Sequence, residues 1–146
     1  MELAKKVDRL YAEYARIHGL SFMSFNVLEV ICTNPDSCTQ KMISEETGYS
    51  KQSVNMIIKG FLEQGYVELK ELSNDRRNKK ILLTQAGISW AEELLIPVRG
   101  AEQKANARLS HEDWTLLLHT LTRYTETFEK EMLPLLHSDD SSLKSQ

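Results

Sequence analysis

The chain has 146 residues, 41% apolar and 27% charged, a balance that excludes a disordered or fibrous protein and suits one globular domain with a single core. No apolar run approaches the roughly 20 residues that span a bilayer, so no membrane partner is expected and a cytoplasmic location is the default. The formal charge of −3 argues mildly against a nucleic-acid partner, yet its distribution is uneven. Residues 51–80 carry seven basic and four acidic groups, a balance of +3, against −2 for residues 1–50 and −4 for residues 81–146. A confined basic strip between acidic flanks is the footprint of a local anion-binding surface.

Taken in chain order, Leu3, Val7, Leu10, Tyr14 and Ile17 recur at spacings of four and three, predicting a helix that ends near Gly19 and carries a narrow helix-helix seam. Ser21 is the expected N-cap of a second helix with Phe25, Leu28 and Ile31 inward, broken by Asn34-Pro35-Asp36-Ser37. Cys32 at its end is read as a core thiol and Cys38 as a loop thiol. Two cysteines at this separation make neither a disulfide framework nor a zinc site. Thr39 caps a short helix over residues 40–47, Gly48 turns the chain, and Ser50 caps a fourth helix. Val54, Ile57, Ile58, Phe61 and Leu62 give that helix an unbroken inward face. Residues 66–72 and 80–83 predict a hairpin whose tip is 73–79. Thr84 starts a long helix with Ile88, Ala91 and Leu95 on one face and a kink expected at Pro97. Ser110 and Asp113 form a capping box opening a last helix to about Leu136. Its stripe is Trp114, Leu117, Leu118, Leu121, Tyr124, Phe128 and Met132, and residues 138–146 are expected to fray.

The fourth helix has the division of faces that a DNA reader needs. Lys51, Asn55 and Lys59 fall on one line, with Gln52 and Met56 adjacent, opposite the Val54, Ile58 and Phe61 face. Ser50, Gln52, Ser53 and Asn55 offer hydrogen-bonding groups to the major groove, where Asn and Gln can pair bidentately with adenine. On an isolated helix these would be ordinary solvated residues. Here the basic hairpin tip follows at once, and Arg76 or Arg77 on a rigid ribbon could reach an adjacent minor groove, with Asp75 orienting Arg77.

Thr39-Gln40-Lys41, Gly48-Tyr49-Ser50, Gly65-Tyr66-Val67, and Asp75-Arg76-Arg77 leading to Leu82-Leu83-Thr84-Gln85-Ala86-Gly87 together resemble the MarR family of winged helix-turn-helix regulators. The resemblance covers essentially the whole chain, and the wing signature is its most specific part. It implies a mainly α fold with a small β-hairpin wing. Residues 21–84 would form the DNA-binding part, and residues 1–20 and 85–137 the helical dimerisation part. It also implies a homodimer that binds a pseudo-palindromic operator in double-stranded DNA, read here as a repressor. Carried over position by position, Ser50, Lys51, Gln52, Ser53, Asn55 and Lys59 belong to the major-groove helix. Thr39, Gln40 and Lys41 would face the DNA backbone, and Arg77, Arg76 and Lys79 the wing contacts. Met56 and Gly60 stand where the family often has arginine, so wing charge must compensate. Thr47 stands where the family usually has leucine, and Tyr49 and Phe61 are expected to fill the space.

The resemblance further implies release by a small aromatic or anionic effector held between the dimer helices and the winged part. Tyr11, Tyr14, His18, Phe22 and Phe25 are the candidate lining, with ordinary core packing as the competing reading. No metal is expected, since His18, His111, His119 and His137 are scattered, and no cofactor or catalytic constellation is found, so the chain is not read as an enzyme. Cys38 precedes a helix N-terminus whose dipole could lower its pKa, although an inert thiol is favoured. The alternative to a DNA-binding regulator is a winged-helix protein-interaction module that has lost DNA binding, motivated by Met56, Gly60 and the net acidity.

Overall fold

The computed structural model describes residues 2–72 and 75–137, with side chains described at all of these except residues 72, 75–78 and 137. They form two compact units, divided between Arg99 and Gly100. The expected frayed tail, 138–146, and the hairpin tip residues Ser73 and Asn74 lie outside the described residues.

The first unit begins with α1 (Glu2–Ile17) and α2 (Phe22–Thr33), joined through Gly19 at φ 76°. The Ser21 hydroxyl caps α2 by accepting from the Ser24 amide at 3.0 Å. Phe25, Val27, Leu28, Val30 and Ile31 of α2 are all buried, so this helix is apolar on nearly every side and forms the centre of the core. Around it sit α3 (Gln40–Thr47), α4 (Lys51–Glu63) and the start of α5 (Gln85–Asn106), which contribute Ile43, then Val54, Ile58 and Phe61, then Ala91, Leu94, Leu95 and Val98. Ile88, expected inward on α5, is 39% exposed, because the buried row of that helix runs through Gly87, Ala91, Leu94 and Leu95 instead. Pro97 lies inside α5, which continues for nine more residues.

The wing differs from its expected extent. Strand β1 (Val67–Leu72) pairs antiparallel with β2 (Asp75–Leu83), so β2 starts five residues earlier than residue 80 and takes in most of the expected tip. The charges of residues 75–80 mask strand character in the sequence. They are compatible with it on a two-stranded ribbon, where the backbone makes the ladder and both faces can stay wet. Glu71 faces Lys79 across the strands, and the register shifts between Glu71 and Leu72.

The root of the wing is fixed in two ways. Thr39 bridges Lys80, and the Ile81 amide donates to the Cys38 carbonyl at 2.9 Å, which ties the start of α3 to β2. Thr84 donates its hydroxyl to the Gly65 carbonyl at 2.6 Å while accepting from the Gly87 amide at 3.0 Å, so one residue ends the wing and caps α5. Gly87 is required here, since a Cβ would collide with the Tyr66 carbonyl. Trp90 stacks on Tyr66, with ring centroids 4.1 Å apart.

The second unit contains the end of α5 and α6 (His111–His137). The capping box is formed: the Asp113 amide donates to the Ser110 hydroxyl at 3.1 Å and the Ser110 amide donates to Asp113 Oδ2 at 2.9 Å. Hydrogen bonds from the Ser110 hydroxyl and amide hold the Asp113 carboxyl below the usual carboxylate range.

Candidate nucleic-acid interface

The presentation of α4 begins at its caps. Gly48 takes φ 71°, ends α3 and donates its amide to the Ser44 carbonyl. Thr47, in the place expected for leucine, donates its hydroxyl to the Ile43 carbonyl at 2.6 Å and accepts from the Tyr49 amide at 3.2 Å. The half-buried Tyr49 packs on the core and its hydroxyl accepts from Asn26 at 2.7 Å. Phe61 is buried and meets Trp90 in a T-shaped ring contact, at 5.3 Å between centroids. The turn between α3 and α4 is therefore held by local hydrogen bonds and Tyr49 where a leucine would hold it by packing.

Beyond the cap, Lys51, Gln52, Asn55, Met56 and Lys59 are exposed, while Val54, Ile58 and Phe61 are buried to 3% exposure or less. Ser50 and Ser53 are engaged locally: the Ser50 hydroxyl accepts from the Ser53 amide at 3.1 Å and the two hydroxyls lie 2.9 Å apart. The Thr39 hydroxyl likewise caps α3 by accepting from the Met42 amide. Lys59 lies 3.8 Å from Glu63, and Lys41 lies 3.7 Å from Glu45, both as exposed pairs one helical turn apart. Among the described residues no ion pair is recorded for Lys51 or Lys79, both exposed. The side chains of Arg76, Arg77 and Asp75 lie outside the described residues, although β2 carries their backbone.

One feature of this surface escapes sequence reading and a second does not. Gln40 Nε2 donates to Asn55 Oδ1 at 3.5 Å, linking the first residue of α3 to the exposed face of α4. Met56 is 68% exposed, and it is the only large apolar side chain so exposed between residues 18 and 87 among the described residues. Spacing along the chain cannot reveal a contact between two helices, whereas the position of Met56 beside Asn55 on the polar face was visible.

The five effector candidates lie on α1 and α2, except His18, which follows α1. Phe25 is fully buried and belongs to the core. The Tyr14 hydroxyl donates to the Leu94 carbonyl at 2.9 Å, and its ring meets Phe25 at 6.2 Å and the exposed His18 at 4.5 Å. Tyr11 lies 6.1 Å from Phe25, and Phe22 is half-buried. A cleft between α2 and α3 is lined by other residues, Asn26, Glu29, Val30, Thr33, Glu46 and Thr47.

Cys38, expected as a loop thiol, belongs to the core, and Cys32 of α2 packs against it. Cys38 is fully buried and Cys32 is half-buried. Burial, helped by the Glu46 carboxylate and Cys32, pushes the Cys38 thiol up to about 12, in keeping with the favoured inert thiol and against a lowering by the α3 dipole. Removal of the thiolate from water outweighs the partial charge of one helix end. Among the described residues no group of three His, Cys, Asp or Glu side chains could hold a metal, and no helix is long and apolar enough to cross a membrane.

Comparisons with known proteins agree with this geometry. The MarR family profile matches residues 18–78, from the end of α1 into β2. The HTH-type transcriptional regulator PrsX of Escherichia coli is 25% identical over 139 residues, covering 94% of this chain and 78% of its own length. A MarR family regulator from Neisseria meningitidis has a structure similar to this one, with a TM-score of 0.73 at 27% identity over 90% of this chain and 94% of its own. The S. aureus MepR structure in its DNA-binding conformation shares the fold, with a TM-score of 0.74 at 16% identity over 87% of this chain and 93% of its own. With the capped reading helix, the wing anchored by Thr84 and the matched segment in agreement, the chain is similar to MarR family regulators in both sequence and fold.

Proposed function

We propose that this chain is a DNA-binding transcriptional regulator, a non-enzymatic protein that acts as a homodimer on a pseudo-palindromic duplex site. The observation that carries the reading is the split of α4, with Val54, Ile58 and Phe61 locked in the core and Lys51, Gln52, Asn55 and Lys59 presented to solvent from a Ser50-capped start. A helix so held offers its N-terminal half to the major groove with little further ordering. The wing follows within a few residues and brings its basic segment to the same region of sequence. The similarity to HTH-type transcriptional regulators of Escherichia coli and Staphylococcus haemolyticus supports the same reading.

Dimerisation is supported by apolar surface that a single chain leaves uncovered. On α1, Leu3, Val7, Leu10 and Ile17 are between 50% and 78% exposed. On α6, Leu117, Leu118, Leu121, Tyr124 and Phe128 are each about half exposed, at 48–57%. Apolar stripes at helical spacing on this scale mark association surfaces. Two chains related by a two-fold axis would present two α4 helices to successive major grooves, which matches a palindromic site and suits repression by occupancy. An aromatic or anionic effector remains part of the proposal, with Tyr11, Tyr14, His18, Phe22 and Phe25 as its candidate lining, although Phe25 is fully buried and the Tyr14 hydroxyl donates to the Leu94 carbonyl.

The test is selection of bound duplexes from a random-sequence pool by the full chain. Enrichment of a palindrome, with binding weakened uniformly across sequences by Arg77→Ala, is expected. Absence of enrichment, or binding insensitive to salt, would refute the reading.

A further inference from the structure

We infer that Met56 is a base-reading residue, whose side chain recognises the 5-methyl group of a thymine in each half-site. The inference rests on the DNA-binding reading and adds to it the identity of the base that the centre of the helix selects.

The argument starts from position. Met56 lies in the second turn of α4, about 7.5 Å along the axis from Lys51 at the usual helical rise. Gln52 precedes it by one turn on the same row, Asn55 is its neighbour, and Lys59 follows three residues on. The next position on its row is Gly60, where a Cβ would meet nothing within 4 Å. The thioether chain is therefore 68% exposed with no bulky side chain of its own helix following it on that row.

Chemistry narrows what such a side chain can do there. A thioether has no charge to neutralise a phosphate and is only a weak hydrogen-bond acceptor, so it cannot replace an arginine contact. Its favourable contribution is burial of apolar surface, and the one apolar group on the floor of the major groove is the thymine methyl. Methionine is flexible and polarizable, so it can adapt to that methyl without a fixed pocket.

The surroundings favour a base over a protein partner. The uncovered apolar residues of α1 and α6 come in stripes, as protein interfaces require. Met56 stands alone among Lys51, Gln52, Asn55 and Lys59, a patch too small and too cationic for the desolvated centre of a protein contact. Gln40 Nε2 lies 3.5 Å from Asn55 Oδ1, an orientation in which Asn55 offers its Nδ2 as a donor. Met56 and Asn55 together then offer an apolar contact beside a donor, a match to a thymine methyl with its O4 acceptor.

The experiment uses the full-length chain and the duplex recovered by random-pool selection. Each thymine is replaced in turn by deoxyuridine, which deletes only the methyl, and affinity is measured by fluorescence anisotropy for the wild type and for Met56→Ala. The expected result is one symmetric thymine position per half-site at which methyl removal weakens the wild type about fourfold per methyl, as burial of one such group implies. Met56→Ala should bind the parent duplex more weakly and be indifferent to the methyl at that position. Circular dichroism of Met56→Ala should match the wild type, because the side chain is outside the core. If no thymine position responds in the wild type, or if Met56→Ala keeps the same response, Met56 does not read the methyl, although DNA binding stands. If neither protein binds duplex while Met56→Ala abolishes capture of a protein, the proposal and the DNA-binding reading fall together.

Discussion

Helices α4 and α6 carry apolar rows of the same periodicity with opposite fates. In α4 the row Val54, Ile58 and Phe61 is buried to 3% exposure or less, while in α6 Leu117, Leu121, Tyr124 and Phe128 remain about half exposed. Tyr124 and Phe128 stack on one another, with centroids 5.9 Å apart, without being buried by the chain that carries them. Periodicity identifies the face that is apolar, and only the tertiary structure decides whether that face is satisfied within the chain or available to another. In α4 the inward row fixes how the opposite face is offered to a partner. In α6 the apolar row is itself the surface that we assign to a second copy.

The sharpest way to break this contrast is to cut into both rows. Ile58→Ala should destabilise folding by about 2–5 kcal/mol, through lost burial and the cavity left behind, with the loss read by urea denaturation at any chain concentration. Leu121→Ala should leave the winged part folded and raise the dimer dissociation constant by roughly tenfold, a loss of about 1.4 kcal/mol on the scale of an interface contact. Sedimentation equilibrium reads the association, and thermal unfolding should become dependent on concentration. If Leu121→Ala had no effect on association while Ile58→Ala did, the assignment of the α6 stripe would be wrong.

Smaller effects refine the account of the reading helix. Ser50→Ala removes the cap that accepts from the Ser53 amide and should cost about 1 kcal/mol in denaturation. It should also weaken DNA binding, because the first turn carries Lys51 and Gln52. Cys38 gives the least effect at neutral pH. Its folded pKa of about 12 is raised above the ordinary thiol value of 9.0, so the folded state holds the proton more tightly than the unfolded state. The stability this contributes is fully present below pH 9 and is lost as pH rises toward 12. Cys38→Ser should flatten part of that alkaline loss, and iodoacetamide at pH 8 should label the half-buried Cys32 before Cys38.

Much of this fold was legible because its punctuation is chemical. Ser21, Thr39, Ser50 and Ser110 are caps in the sequence and in the structure, and Gly48 takes positive φ where a turn was expected. Strand β2 was read too short because residues 75–80 are mostly charged, and its pairing is made by the backbone, which composition does not record. Cys38 was misplaced for a related reason. Cys38 follows a loop in sequence but lies beneath the bridge between Thr39 and Lys80, a contact across some forty residues. The basic and polar face of α4 was legible by spacing, whereas the tie from Gln40 to Asn55 and the local engagement of Ser50 and Ser53 depend on side-chain geometry.

The most direct test of the central claim is sedimentation velocity of a labelled, selected duplex with the purified chain at salt concentrations from about 50 to 200 mM, the range over which phosphate contacts are distinguished. The account predicts two chains per duplex and a linear fall of log affinity with log salt concentration, at a slope of about −0.9 per neutralised phosphate. A complex with one chain per duplex, or an affinity unchanged across that range, would contradict it.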